Sequence, residues 1–333
     1  VLYPADRLVK IGEEAGKENS VFSLNDRMGL VQDASVLASS GYAKTSTALS
    51  FLSKLGNETE NLVWQEIASA LANLSKTWSE QPTPTLEGID NLRRSLFRPI
   101  LARLGFENAS EDDSETIELR NLAISTLAAA GDPAVLAEVS RRFGAFLDSD
   151  DESQIPSDLR ASIYSESVKL GSDKEYRKIC AVYQDPPTPG HRKAARIALC
   201  SSRDPVLVRK TLALMLSDEL PLHELPAFGN TLKASNPVAS HVYWEWFKVN
   251  YDDILTKFHQ SARFYLSNMV SSTFGGFSSR KDYQDVAAFF ADKDRSDYEQ
   301  AYAQGLDAIL SRSRWLERDT RDVEDWLSSN GYL

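Results

Sequence analysis

The part of this chain that comes closest to a metal-binding pattern is His223-Glu-Leu-Pro-Ala227. In zinc hydrolases, a helix carrying His-Glu-x-x-His places two imidazoles on one face and a carboxylate beside the bound water. Here Ala227 stands at the position of the second ligand, and Pro226 interrupts the turn that would bring the two positions together. We therefore predict no metal site. Three other histidines lie far apart and are expected to be surface or hydrogen-bonded structural imidazoles: His191, His241 and His259.

Candidate nucleophiles are equally scarce. The sequence has no Gly-x-Ser-x-Gly elbow, and neither Cys180 nor Cys200 falls in a catalytic signature. Two cysteines on apolar helix faces are typical of reduced, buried thiols. Phe274-Gly-Gly-Phe277 follows a helix and not a strand, which favours a tight turn with both phenylalanines packed inward over a phosphate-binding loop. Paired carboxylates such as Asp112 and Asp113 are expected to be solvated. The chain itself is thus expected to carry no catalytic residue.

Aromatic residues recur at helical spacing in Tyr243, Trp244, Trp246, Phe247 and Tyr251. Such a pattern usually forms core, although the polar tips of tyrosine and tryptophan also suit the wall of a wet, ligand-facing cavity. We predict core. Three aromatic residues near the end of the chain are expected to anchor its last two helices: Trp315, Trp326 and Tyr332.

These residues must be positioned by helices, because apolar residues fall three and four apart along most of the chain. Helix starts are marked by Ser23 with Asp26 three residues on, and by Asp132-Pro133, Asp204-Pro205 and Asn236-Pro237. No stretch alternates as a strand would. About sixteen short-linked helices predict an all-α fold, a superhelical array of antiparallel helix pairs of the HEAT or armadillo kind.

Charge and hydropathy limit the function classes. The 333 residues include 48 acidic and 37 basic side chains, which gives a net charge of −11. The sequence has no block of Lys and Arg residues that would mark a nucleic-acid-binding surface. No run approaches the roughly 18 apolar residues that a membrane span needs. The chain is therefore expected to bind neither nucleic acid nor membrane, and its two cysteines favour a cytoplasmic location.

Several segments together resemble a known family. Near the start these are Asn25-Asp-Arg-Met-Gly-Leu-Val-Gln-Asp-Ala-Ser-Val-Leu-Ala38 and Thr47-Ala-Leu-Ser-Phe-Leu-Ser-Lys-Leu55, and in the last third they are Val242-Tyr-Trp-Glu-Trp-Phe-Lys-Val-Asn-Tyr251, Ser272-Thr-Phe-Gly-Gly-Phe-Ser-Ser279, Arg314-Trp-Leu-Glu-Arg-Asp319 and Trp326-Leu-Ser-Ser-Asn-Gly-Tyr-Leu333. The chain resembles the C-terminal domain of M1-type zinc aminopeptidases, and more narrowly the fungal cytosolic lysyl and alanine/arginine aminopeptidases and their puromycin-sensitive relatives. Residues 1–3 resemble the end of the preceding β-domain, so the chain is expected to begin inside a longer protein, and residues 4–333 match the C-terminal helical domain.

The resemblance implies a bowl-shaped domain that closes over the catalytic domain of the same polypeptide and encloses the peptide substrate. The zinc ion and the catalytic groups of such enzymes lie in the earlier domains. By position, Gly229-Asn-Thr-Leu-Lys-Ala-Ser235 matches a helix facing the chamber, which makes Lys233, with Asn230 one turn back, the expected contacts to a peptide's terminal carboxylate. The alternative for Lys233 is an exposed lysine that only solvates its helix. The alternative for the whole chain is a freestanding HEAT-like scaffold that binds another protein.

Overall fold

The computed structural model describes residues 1–217, 220–258 and 263–333, and within these ranges the chain contains helices and no strand. His259 lies outside the described residues. The all-α fold is therefore confirmed. Short 3₁₀ helices span Ser53–Leu55 and Leu222–Glu224. The described ranges hold seventeen α-helices: α1 Ala5–Ala15, α2 Leu24–Ser39, α3 Thr45–Leu52, α4 Asn61–Thr77, α5 Thr83–Leu104, α6 Ser114–Ala129, α7 Pro133–Ser149, α8 Arg160–Leu170, α9 Asp173–Gln184, α10 Pro189–Leu199, α11 Pro205–Leu216, α12 Leu225–Ser235, α13 Pro237–Val249, α14 Tyr251–Phe258, α15 Arg263–Phe274, α16 Arg280–Phe289 and α17 Glu299–Ser329.

The predicted helix starts are real caps. Ser23 forms a full capping box with Asp26 at the start of α2. The side chain of Asp132 accepts hydrogen bonds from the backbone N–H groups of Ala134 and Val135. Two further caps satisfy the otherwise unpaired first N–H groups of their helices. They are Asp204 on α11 and Asn236 on α13.

The helices group into two compact units, with boundaries inside α7 and α17. The first unit consists of residues 1–135 and 312–333. Trp64 and Trp78 are fully buried in it, and the indole rings of Trp78 and Trp315 meet edge to face with centroids 4.9 Å apart. Trp326 also packs in this unit, with its ring stacked on Tyr332. Trp315 and Trp326 lie on the single 31-residue helix α17, so they anchor one long helix and not the two helices that the sequence predicted.

The second unit consists of residues 136–311. Four of the five clustered aromatic residues on and after α13 are at least 95 % buried: Tyr243, Trp244, Phe247 and Tyr251. Trp246 is only half-buried. Edge-to-face contacts join Trp244 to Phe274 and Phe289, with centroids 5.9 and 5.3 Å apart. The prediction that this cluster forms core is confirmed for its four buried members.

None of the helices in the described ranges is, taken singly, long and apolar enough to cross a membrane. The bent pair Ser114–Ala129 and Pro133–Ser149 meets the criterion when its two helices are joined, on length and composition alone.

Candidate functional site

Helix α12 carries both residues expected to bind substrate. Its buried face consists of Leu225, Phe228 and Leu232, spaced three and four apart, each at most 2 % exposed. Asn230 is exposed and Lys233 is half-buried. Residues three apart are neighbours on a helix surface, so the structure brings Asn230 and Lys233 together on one face.

Gly229 allows α12 to approach its neighbours closely. A Cβ at this position would lie 2.3 Å from Oγ of Ser272 on α15 and 2.5 Å from the hydroxyl oxygen of Tyr243 on α13. Those two hydroxyls hydrogen-bond each other at 2.9 Å in the buried interior. A side chain here would therefore displace a satisfied polar pair, and only glycine fits the observed packing.

Lys233 lies against the turn between α15 and α16. A Cβ on Gly275 would be 3.3 Å from Cδ of Lys233, and one on Gly276 would be 2.7 Å from its carbonyl oxygen. The flanking Phe274 and Phe277 are 0 and 3 % exposed, which confirms the inward-packed turn predicted from their sequence. The two glycines thus let the turn pack closely against the aliphatic chain of Lys233. A lysine often buries its aliphatic chain in this way while its ammonium group stays in a polar environment.

A second cation fixes the start of α12 to α10. Nη1 of Arg196 donates to the carbonyl oxygen of Ala227 at 2.6 Å and to Oγ1 of Thr231 at 3.1 Å. Nearby, Arg192 pairs with Glu224 at 3.0 Å. These contacts hold the helix that presents Asn230 and Lys233. An ammonium and a carboxamide on one face can bind an anion.

His223 does not belong to a zinc-binding pair. It is exposed on the 3₁₀ helix Leu222–Glu224, whereas Ala227 lies in the first turn of α12. The two positions therefore occupy different helical elements, and Ala227 has no atom that could coordinate a metal. The residues of this motif do not fit zinc.

Two other histidines have structural neighbours. His191 as a whole residue is 9 % exposed, with Nε2 2.8 Å from Glu152 and Nδ1 2.7 Å from the hydroxyl of Thr188. His241 stacks on the Phe277 ring at 4.7 Å. Hydrogen bonds hold His191, as the sequence predicted, whereas His241 has a partly exposed ring that packs on an aromatic neighbour.

Glu152 makes several side-chain contacts that its sequence position does not indicate, because it ends the acidic stretch Asp148-Ser-Asp-Asp-Glu152, and such a run of charges is usually solvated. Its carboxylate also accepts hydrogen bonds from Nε of Arg160 at 2.5 Å and the hydroxyl of Tyr164 at 2.6 Å. Burial would raise the pKa of Glu152, but the hydrogen bonds from Tyr164, Arg160 and His191 outweigh it and hold the pKa below its ordinary value. A glutamate eight residues before an arginine is not a recognised sequence pattern, so the Glu152–Arg160 contact could not be predicted from the sequence.

The two cysteines differ in their surroundings. Cys200 is fully buried, and burial raises the pKa of its thiol to about 12. Cys180 is half-buried, so the expectation of two buried thiols is only partly correct. Burial also raises the pKa of Cys180. Because the thiolate is the reactive form, neither cysteine is an activated nucleophile.

The fold defines an all-α helical domain, in which the exposed side of α12 carries Asn230 and Lys233. A family model described as "ERAP1-like C-terminal domain" matches residues 1–311, and the chain belongs to that family. It is 27% identical over 330 residues to "Aminopeptidase 2, mitochondrial" of Saccharomyces cerevisiae, covering 99% of this chain and 34% of that protein. "Aminopeptidase 2" of Candida albicans is 29% identical, with 99% and 35% covered. "Aminopeptidase M1-B" of Oryza sativa subsp. japonica is 27% identical, with 94% and 35% covered. The chain thus spans about a third of the length of these relatives.

Proposed function

We propose that this chain is the C-terminal domain of an M1-type zinc aminopeptidase, in which it encloses and positions the peptide while other domains of the polypeptide remove the N-terminal residue. The observation that carries the proposal is the family match over residues 1–311, together with relatives that are named aminopeptidases and are about three times as long. In this proposal residues 4–333 form the helical domain, and residues 1–3 end the β-domain before it. The zinc and catalytic groups belong to the remaining part of the polypeptide.

The proposed contribution of α12 is to bind the far end of the peptide. The ammonium of Lys233 meets the substrate's terminal carboxylate, and the carboxamide of Asn230 donates a second hydrogen bond to it. A charge-assisted contact is shorter and stronger than a neutral one, and it gains further where the enclosing walls exclude water. The close support from Gly275 and Gly276 favours this role, because a lysine with an ordered stem loses less side-chain entropy on binding.

The proposed compartment is the cytosol, where a reducing environment suits the two free cysteines. Expression of the full-length polypeptide with a fluorescent tag at its C-terminus, followed by imaging, tests this assignment.

The activity is tested on the full-length polypeptide in which this chain occurs and, in parallel, on the 333 residues alone. Aminoacyl reporter substrates and short peptides are incubated with each protein, with and without a zinc chelator. We expect release of N-terminal residues by the full-length protein only, abolished by chelation and restored by added zinc. A full-length protein that cleaves no aminoacyl substrate under any metal condition contradicts the proposal and favours the protein-binding scaffold.

A further inference from the structure

A cleft of about 290 Å³ opens beside α9 in the second unit, apart from the α12 face. Tyr176, Cys180 and Tyr183 contribute to it from α9, at spacings of four and three that place them on one side of the helix. Leu199, from the end of α10, and Leu214, from α11, also line the cleft. A cavity of roughly 150 Å³ lined by aliphatic and aromatic side chains holds one benzene molecule, so this cleft has room for one ring with a short chain.

The surface inside the cleft is mainly apolar. The hydroxyl of Tyr176 is bonded to Oγ1 of Thr211 at 2.9 Å, and the hydroxyl of Tyr183 donates to Glu224 at 2.8 Å. Both tyrosine hydroxyls are thus engaged by other residues, and each tyrosine, 4 % exposed, adds only part of its ring to an apolar wall shared with Cys180, Leu199 and Leu214. Aromatic rings and leucine side chains favour an apolar occupant, because burying such a group removes apolar surface from water.

The rim of the cleft carries an excess of positive charge. Arg177 and Lys210 both line it and both contact Asp173, at 2.5 and 2.7 Å. Two cations share one carboxylate, so this group has a net charge of +1. The Arg177 side chain is 76% exposed and that of Lys210 is 49% exposed, so both can turn toward an additional anion without breaking a buried contact.

From this combination we propose that the cleft binds a compact aromatic or aliphatic molecule bearing a single carboxylate, with its apolar part against the apolar wall of the cleft and its carboxylate at the Arg177–Lys210 rim. Apolar walls with one placed charge are the usual composition of a small-molecule site. The site is separate from the proposed peptide contact at Lys233, and its occupation does not depend on the aminopeptidase assignment.

The test uses 4-phenylbutyrate as the probe and uncharged 4-phenylbutanamide as its matched control, titrated into the 333-residue chain with ligand-observed NMR. We expect the acid to bind about threefold to tenfold more tightly than the amide, since the difference is one partly exposed charge contact. Lys210→Met should weaken binding of the acid by a similar factor and leave the amide unchanged. Arg209→Met removes an exposed cation from the same helix outside the cleft and should change neither.

Cys180 provides an independent report on where the probe binds. Intact-mass analysis should show that methyl methanethiosulfonate modifies one cysteine slowly in the native chain, and that 4-phenylbutyrate slows the reaction further. Leu214→Trp should fill the cleft and remove binding, provided that its circular-dichroism spectrum and melting temperature match those of the parent chain. Equal affinity for acid and amide, an equal effect of Lys210→Met and Arg209→Met, or no protection of Cys180 by the bound acid would each overturn the proposal.

Discussion

Asp319 on α17 caps Thr45, the first residue of α3, although 274 positions separate them in the chain. Its Oδ2 accepts hydrogen bonds from the Thr45 N–H at 3.1 Å and from the Thr45 hydroxyl at 2.6 Å. The next residue is held in the same way, because the Asp322 carboxylate accepts from both the N–H and the hydroxyl of Ser46. The N-cap residue of α3 is Lys44, whose side chain makes no capping hydrogen bond, so the negative charge favoured at a helix N-terminus comes from the last helix.

We expect Asp319→Ala to lower the free energy of unfolding by about 2–3 kcal/mol, because it leaves the buried hydroxyl and N–H of Thr45 without an acceptor. Asp325→Ala, at an exposed position on the same helix, is the control and should change it by less than about 0.5 kcal/mol. Urea unfolding followed by circular dichroism measures both. Equal midpoints for the two variants would show that the cap contributes nothing to stability.

The loss of folding stability at low pH should depend in part on Glu138 in α7. Hydrogen bonds from Arg141, opposed by burial and assisted by Arg142, lower the pKa of Glu138 to about 2. A lowered folded-state pKa stabilises the chain at pH values above the ordinary one, near 4.5, and this contribution is lost as pH falls from there toward 2.

Glu138→Gln should therefore be less stable than the parent chain at pH 7, and the difference between their urea midpoints should shrink steadily below about pH 4.5. Glu18→Gln removes an exposed carboxylate and is the control. A stability difference for Glu138→Gln that stays constant between pH 7 and pH 3 would contradict the assignment.

The close approach at α12 predicts opposite effects for two glycine substitutions. Gly229→Ala should destabilise the chain by about 1–3 kcal/mol, because its Cβ would meet the Ser272 and Tyr243 hydroxyls at 2.3 and 2.5 Å. Gly144→Ala, inside α7, would meet no described atom within 4 Å and should stabilise by about 0.5–1 kcal/mol. Melting temperatures of the two variants decide the point. A loss of stability in both variants would contradict the prediction that Gly144→Ala is stabilising.

Local features of this fold were predictable because their causes are local. Ser23, Asp204 and Asn236 cap their helices as their positions before apolar runs indicated. The spacing of Tyr243, Trp244 and the aromatic residues after them identified a buried face. The superhelical stacking of helix pairs and the role of Lys233 remain predictions.

Contacts that depend on the conformation of a loop were not predictable from one sequence. Asp112 was expected to be solvated, yet it pairs at 2.6 Å with Arg120, which is 2 % exposed. The same guanidinium also donates to the side chain of Asn108 and the carbonyl oxygen of Leu104. A buried charge needs several partners at once, and those partners are set by loop conformation, which residue types in a polar segment do not encode.

The last prediction concerns Lys233 in the full-length polypeptide. Lys233→Met keeps the stem that packs on Gly275 and Gly276 but removes the charge. The lost charge-assisted contact should cost about 1–3 kcal/mol, a fivefold to hundredfold increase in KM for peptides with a free C-terminus. Peptides with amidated ends and short aminoacyl reporters should be cleaved as before. Lys193→Met, exposed on α10, is the matched control and should be silent on every substrate. Equal losses on all three substrate types, or no loss on any, would mean that Lys233 serves only to solvate its helix.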